Sequence, residues 1–181
     1  MSQFLIDNNW TLFLDRDGVI NHEQHLGYVN TWDDFTFYAG VKEAIKIFAR
    51  HFKYIIIITN QRGVGKGITS LENLAIIHQK MREEIALSGG RVDAIYFCGD
   101  IDGLSPNRKP QTGMAMQAKK DFIDIDFNKS IMVGNTMSDM EFGRNLGAKT
   151  IFLPTTNPVA SPPDNRIDAV YNSLLAFAQS L

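Results

Sequence analysis

Four consecutive isoleucines, Ile55 to Ile58, constrain the fold of this chain more than any other feature. Successive side chains of a strand point to opposite faces, so an apolar run without alternation needs cover on both faces. A central strand of a parallel sheet, with helices above and below, meets that need. Four more short runs recur along the chain: Thr11 to Leu14, Ala94 to Phe97, Ser130 to Val133 and Thr150 to Leu153. Helical patterns separate them, so the chain reads as βα units: an α/β fold with a central parallel sheet and helices on both faces.

Val41, Ala44, Ile45, Phe48 and Phe52 fall at helical spacing after Gly40. Leu71, Leu74, Ala75, His78, Met81 and Ile85 do the same after the start signal Thr69-x-x-Glu72. Pro110 suits a first helical position, Ser138 suits the cap of a helix stopped by Gly147, and a last helix is expected from about Asn172 to Gln179. The Pro/Asn/Ser-rich stretch Pro154 to Asn165 reads as a late loop, because too little chain follows it to form a second domain. Residues 1–181 are therefore expected to be a single domain.

A net charge of -2 argues against bulk electrostatic binding of nucleic acid or membrane, although a local basic cluster can still hold a phosphate. Cys98 is the only cysteine, which rules out an intrachain disulfide and a zinc site built on several thiolates. The first residues lack a signal-peptide pattern, and no apolar run approaches the ~20 residues of a membrane span. The expectation is a cytoplasmic monomer that acts on a small partner, with no nucleic acid or membrane partner.

In open α/β sheets the ligand site lies beyond the carboxyl ends of the strands, and polar motifs stand at four such ends here. Asp15-Arg16-Asp17-Gly18 follows the first run. Two carboxylates so close repel unless a cation or a shared proton compensates them. Covalent phosphoryl chemistry at a Mg²⁺ site uses such a pair, one carboxylate as nucleophile and metal ligand, the other handling the proton. Thr59-Asn60-Gln61-Arg62-Gly63 follows the isoleucines, where a hydroxyl and loop N–H groups can hold phosphate oxygens. Its glycines do not have P-loop spacing.

Arg108-Lys109-Pro110 follows the third run and places an ammonium where it can offset both a nucleophilic carboxylate and a phosphate. Gly134-Asn135-Thr136-Met137-Ser138-Asp139 ends the fourth. Mg²⁺ takes about six oxygen ligands, several of them water, so few protein donors suffice. Asp139 is open to three roles: direct ligand, orienter of a metal-bound water, or anchor of Lys109. His22 and His25 have no cysteine partner and do not make a zinc site, and His78 reads as a core or boundary residue.

Asp15-x-Asp17-Gly18, Thr59, Lys109 and Gly134-Asn135-x-x-x-Asp139 resemble, in order, the four motifs of the haloacid dehalogenase (HAD) superfamily of phosphotransferases. Leu14 to Asn21, Gly27-Tyr28-Val29, Thr59-Asn60-Gln61-x-Gly63 and Arg108-Lys109-Pro110 are similar to its histidinol-phosphatase and D,D-heptose 1,7-bisphosphate phosphatase branch. The resemblance implies a three-layer Rossmann-like fold with Asp15 as the nucleophile that becomes an aspartyl-phosphate. It implies Asp17 as the acid that protonates the leaving alcohol and then activates water, with Thr59 and Lys109 holding the transferring group. Mg²⁺ would be held by Asp15, the backbone of Asp17 and the Asn135/Asp139 turn. Gly27, Tyr28, Asn60, Gln61, Arg62 and Arg108 would contact the substrate.

Two departures stand out. Asn135 takes a place where the family usually carries Asp, so a metal-ligating charge is lost. Cys98 to Ser105 is too short for the Cys/His zinc loop of many relatives, so no structural zinc is expected. No large insertion follows the first motif or separates the second and third runs, so no large cap domain is expected. The leading expectation is a Mg²⁺-dependent phosphatase of a sugar phosphate, best matched by a heptose 1,7-bisphosphate 7-phosphatase. Histidinol-phosphatase is the rival enzyme. A phosphate-ligand or partner-binding protein that has lost catalysis through Asn135 is the alternative outside enzymes.

Overall fold

The computed structural model describes residues 5–24, 27–158 and 164–181. Six parallel strands form one sheet: β1 (Thr11–Leu14), β2 (Tyr54–Asn60), β3 (Ala94–Cys98), β4 (Ser130–Gly134), β5 (Lys149–Phe152) and β6 (Ala169–Val170). Their order is β3-β2-β1-β4-β5-β6. The first four strands cover the expected runs, β5 starts one residue earlier and ends one residue short of its run, and β6 is an addition that two residues gave no pattern to reveal.

Neighbouring residues of one strand enter different cores. Leu12, Leu14, Ile55 and Ile57 pack with α1 (Val41–His51), α3 (Leu71–Leu87) and α6 (Leu174–Ala178) on one face. Phe13, Ile56 and Ile58 pack with α4 (Gly113–Asp121) and α5 (Met137–Leu146) on the other. This two-sided burial is why the isoleucine run is continuous. Phe48 anchors the first face against Phe52 and Phe177, at ring distances of 5.8 and 5.1 Å. Truncating such a buried ring to alanine costs about 3–5 kcal/mol.

Three helix starts differ from their sequence signals. Ser70, not Thr69, caps α3 by accepting from the Asn73 N–H at 3.0 Å; Thr69 is buried and donates to Asn30. Thr136, not Ser138, caps α5 in a reciprocal box with Asp139. Pro110 does not open α4: the Lys109–Pro110 peptide is cis, and the helix begins at Gly113 after Thr112. The stretch after Gln61 forms a short helical turn, α2 (Arg62–Gly65).

Among the described residues, no large cap interrupts the sheet. The segment between β1 and β2 holds α1, and that between β2 and β3 holds α2 and α3. The strand order reverses between β1 and β4, and the crevice at that reversal is where open parallel sheets bind ligands. The motifs containing Asp15 and Asn135 therefore sit side by side.

Candidate active site

A cleft of about 310 Å³ opens at the reversal, lined by Asp15, Asp17, Glu23, Asn60, Arg108, Lys109, Thr136, Ser138 and Asp139. Pairing of β1 with β4 continues one residue past Leu14, where Asp15 N–H donates to Val133 O at 3.0 Å. This fixes the backbone from which the Asp15 carboxylate projects.

Lys109 is the electrostatic centre. Its buried ammonium lies 2.9 Å from Asp15 Oδ1 and 2.6 Å from Asp139 Oδ1. Asn60 places it through the backbone: Lys109 N–H donates to Asn60 Oδ1 at 3.0 Å, and Asn60 Nδ2 donates to Lys109 O at 3.2 Å. Asp139 Oδ2 accepts from Thr136 N–H at 3.0 Å and from its hydroxyl at 2.7 Å. With one oxygen on Lys109 and the other on the helix cap, Asp139 anchors the lysine.

Two buried carboxylates sharing one ammonium leave a negative charge uncompensated. The Asp15 carboxyl is pushed up to about 7, because burial, with the Asp139 charge beside it, outweighs the pull of Lys109. The Lys109 ammonium is held above its ordinary range: burial opposes its charge, but Asp139 and Asp15 outweigh that penalty.

Asp17 has the opposite balance. Burial alone would raise its pKa, but Arg16 and hydrogen bonds from Asn21 and Gln61 outweigh burial and lower it. Arg16 Nη2 lies 2.9 Å from each Asp17 oxygen, Asn21 Nδ2 donates at 2.8 Å and Gln61 Nε2 at 2.8 Å. Arg16 is itself buried and reaches His78 Nε2 at 3.2 Å. Burial, then the neighbouring guanidinium, depress His78 to about 3, so its ring is neutral and accepts from Arg16.

The predicted substrate residues divide into three places. Asn60 and Arg108 line the cleft, and Arg108 also donates to Asp100 O at 3.2 Å. Gln61 lies behind it, donating to Asp17 and to the buried Thr59 hydroxyl at 2.8 Å. Gly27 and Arg62 are exposed, and Tyr28 packs beside Gly63 under the Lys66 ammonium, 5.5 Å from its ring. His22 stacks on Tyr38, and His25 lies outside the described residues.

The chemistry of the donors suits Mg²⁺. Asn135 is fully buried, and its Oδ1 has no hydrogen-bond partner. That oxygen stands beside the first motif, since a Cβ built on Gly18 would fall 2.9 Å from it and 2.0 Å from Nδ2. Gly18 also has φ +82°, so both the turn and this close approach require glycine. Hard oxygen donors and a surplus negative charge on Asp15 fit a divalent cation. Among the described residues, no three His, Cys, Asp or Glu side chains group to hold a metal.

Residues that sequence reasoning passed over complete the site. Thr155 donates to Gly18 O, Thr156 accepts from Asn135 Nδ2 at 2.6 Å, and Asn157 Nδ2 donates to Asn135 O at 3.1 Å. This loop follows β5, a fifth strand end whose polar Thr-Thr-Asn run was a usable signal. Arg16, Asn21 and Glu23 gave none, because their roles depend on distant contacts.

A lysine bridging two carboxylates beside a buried amide at the reversal of a parallel sheet is an arrangement suited to a phosphoryl-transfer enzyme of the HAD type. The sequence profile of the polynucleotide kinase 3 phosphatase family matches residues 11–151. A Mycobacterium bovis D-glycero-alpha-D-manno-heptose-1,7-bisphosphate 7-phosphatase is 31% identical over 94% of this chain and 90% of its own length. A Campylobacter jejuni enzyme of the same name is 37% identical over 78% and 80%. Among solved structures, the D,D-heptose 1,7-bisphosphate phosphatase from B. bronchiseptica, complexed with magnesium and phosphate, superimposes with a TM-score of 0.85. It shares 27% identity and covers 94% of this chain and 97% of its own. The chain belongs to the HAD superfamily of phosphatases, within the group that includes the heptose bisphosphate phosphatases. Among the described residues, no helix is long and apolar enough to cross a membrane.

Proposed function

We propose that residues 1–181 form one Mg²⁺-dependent phosphatase domain that removes the C7 phosphate from a heptose 1,7-bisphosphate. The observation that carries this reading is the Lys109 ammonium between Asp15 and Asp139, at 2.9 and 2.6 Å, on the wall of an open cleft. The heptose assignment rests on the relatives at 31–37% identity. The cleft is assembled within one chain, which supports a monomer. A lone buried cysteine supports the cytoplasm.

Asp15 attacks the phosphorus, forming an Asp15–phosphorus bond as the bond to the ester oxygen breaks. Asp17 gives its proton to that oxygen, and the sugar leaves as an alcohol. Water then attacks the phosphorus while Asp17 takes a proton from it, which frees inorganic phosphate and restores Asp15. Held as a carboxylate by Arg16, Asp17 rests in the form the second step needs. A phosphate dianion beside it raises its proton affinity for the first step.

Lys109 and Thr59 offset and position the phosphoryl oxygens, and Asp139 keeps Lys109 in place. Asp15, Asn135 Oδ1 and the Asp17 backbone would hold Mg²⁺. When bound, that ion supplies positive charge for the phosphoryl oxygens and for Asp15.

The test compares kcat/KM for heptose 1,7-bisphosphate and histidinol phosphate with added Mg²⁺, beside the D15N variant. The heptose ester should be preferred, and D15N should lose turnover by at least ~10⁴-fold, the scale of losing a covalent nucleophile. Preference for histidinol phosphate overturns the substrate assignment. Turnover retained in D15N overturns the mechanism.

A further inference from the structure

The Asn135 amide has a partner, Glu23, that has no role in the proposed mechanism. An asparagine amide at 0% exposure has two donor protons and one acceptor oxygen to satisfy. Here Nδ2 donates to Thr156 Oγ1 at 2.6 Å and to Glu23 Oε1 at 3.1 Å, while Oδ1 has no partner. The amide is thus fixed in one of its two orientations. Its nitrogen is held by Glu23 and Thr156, and its oxygen is left without a partner close to Gly18, with oxygen and nitrogen 2.9 and 2.0 Å from a Cβ built there. A buried carbonyl without a partner costs about 1–3 kcal/mol, so a fold that fixes it so needs something to fill the gap.

Glu23 does more than hold the amide. It comes from the loop after β1, 112 positions before Asn135, and its side chain is on the wall of the same cleft as Asp15 and Asp17. A carboxylate accepting from Nδ2 draws the amide toward its polarised form and places more negative charge on Oδ1. Metal-ligating histidines gain basicity in the same way from a carboxylate on their far nitrogen. Asn135 is neutral and Lys109 already takes up part of the charge of Asp15 and Asp139, so a further carboxylate close by favours a divalent cation. Glu23 brings that charge close without occupying a ligand position.

We propose that Glu23 is the outer carboxylate of the cation site: it orients and polarises Asn135 so that Oδ1 becomes a competent Mg²⁺ ligand. The proposal rests on the metal-dependent reading above. It makes the pair Glu23/Asn135 a divided equivalent of one ligating carboxylate, with the charge on one residue and the donor oxygen on the other. Thr156 holds the second Nδ2 proton and completes the orientation.

The test titrates Mn²⁺, an EPR-visible stand-in for Mg²⁺, into the free enzyme without substrate. E23A should weaken binding ~10–100-fold, the usual cost of losing an outer-shell partner. E23Q keeps an acceptor but loses the charge, and should fall between wild type and E23A. In E23Q/N135D the charge returns on the ligand itself, and affinity should recover to near the wild-type value. Glu23 is exposed, so E23A and E23Q should melt close to wild type. Wild type that binds while E23A binds equally well overturns this inference and leaves the phosphatase reading intact. Failure of N135D to rescue E23Q also overturns it. Wild type that takes up no Mn²⁺ overturns both.

Discussion

The two walls of the cleft are built differently. On the wall formed by the ends of β1 and β4, polar groups are buried and closely tied. Lys109 joins Asp15 and Asp139, Arg16 and Gln61 hold Asp17, and the Thr155–Asn157 loop holds Gly18 and Asn135. On the other wall Arg108 lines the cleft with one backbone contact to Asp100, and beyond the lining Gly27, Arg62 and Lys66 are exposed. The first wall is suited to positioning, since each charge is set before substrate arrives. The second is suited to recognition, because solvated side chains on short loops can change partner at little cost to the fold.

If that contrast holds, removing one charge should have very different consequences on the two walls. K109M leaves two buried carboxylates facing an apolar chain. It should lower kcat by ~10²–10³ and destabilise the protein by about 3–5 kcal/mol. Steady-state kinetics and urea unfolding read the two losses. Adding D139N to K109M should recover part of the stability and none of the activity, because it removes a stranded charge without restoring the cation. Equal stability for K109M and wild type would break the contrast.

A smaller effect comes from the raised Asp15 carboxyl. Its ordinary value is 3.8 and burial lifts it to about 7, so between those values the folded protein binds more protons than the unfolded chain. Stability from this group is therefore present below about pH 4 and falls as pH rises to about 7. D15N lacks the penalty. In EDTA it should match wild type near pH 4 and exceed it at pH 8. Added Mg²⁺ should close the gap by stabilising wild type only. Melting curves across pH decide it; a gap that is constant with pH would mean Asp15 is not the group responsible.

The contrast also explains what could be read from sequence. β2 announced itself because burial on both faces forces a continuous apolar run, whereas β6 has only Ala169 and Val170 and α2 has four residues containing two glycines. Neither is long enough to show a period. Asp15, Thr59 and Asn135 stood out because polar residues at the ends of apolar runs need a reason, and Lys109 because it stands in the loop after the third run. Arg16 was not, since its burial depends on His78, 62 positions away, and an arginine in a polar motif reads as solvated. Glu23 has the same difficulty, as its partner lies on another strand end.

The mildest prediction concerns the open wall. Arg108 lines the cleft, and a guanidinium there meets anionic substrate without joining the Lys109 network. R108Q removes a charge that acts equally on bound substrate and transition state, so KM should rise while kcat stays nearly constant. One charge-assisted contact of ~1.5 kcal/mol corresponds to about a tenfold rise in KM. The variant should melt with wild type, because its backbone contact to Asp100 is at the surface. Measured on a bisphosphate and on the matching monophosphate, the rise should be larger for the bisphosphate if Arg108 meets the distal phosphate. A fall in kcat with KM unchanged would instead place Arg108 with Lys109 at the transferring group, and the division between a positioning wall and a recognition wall would have to be redrawn.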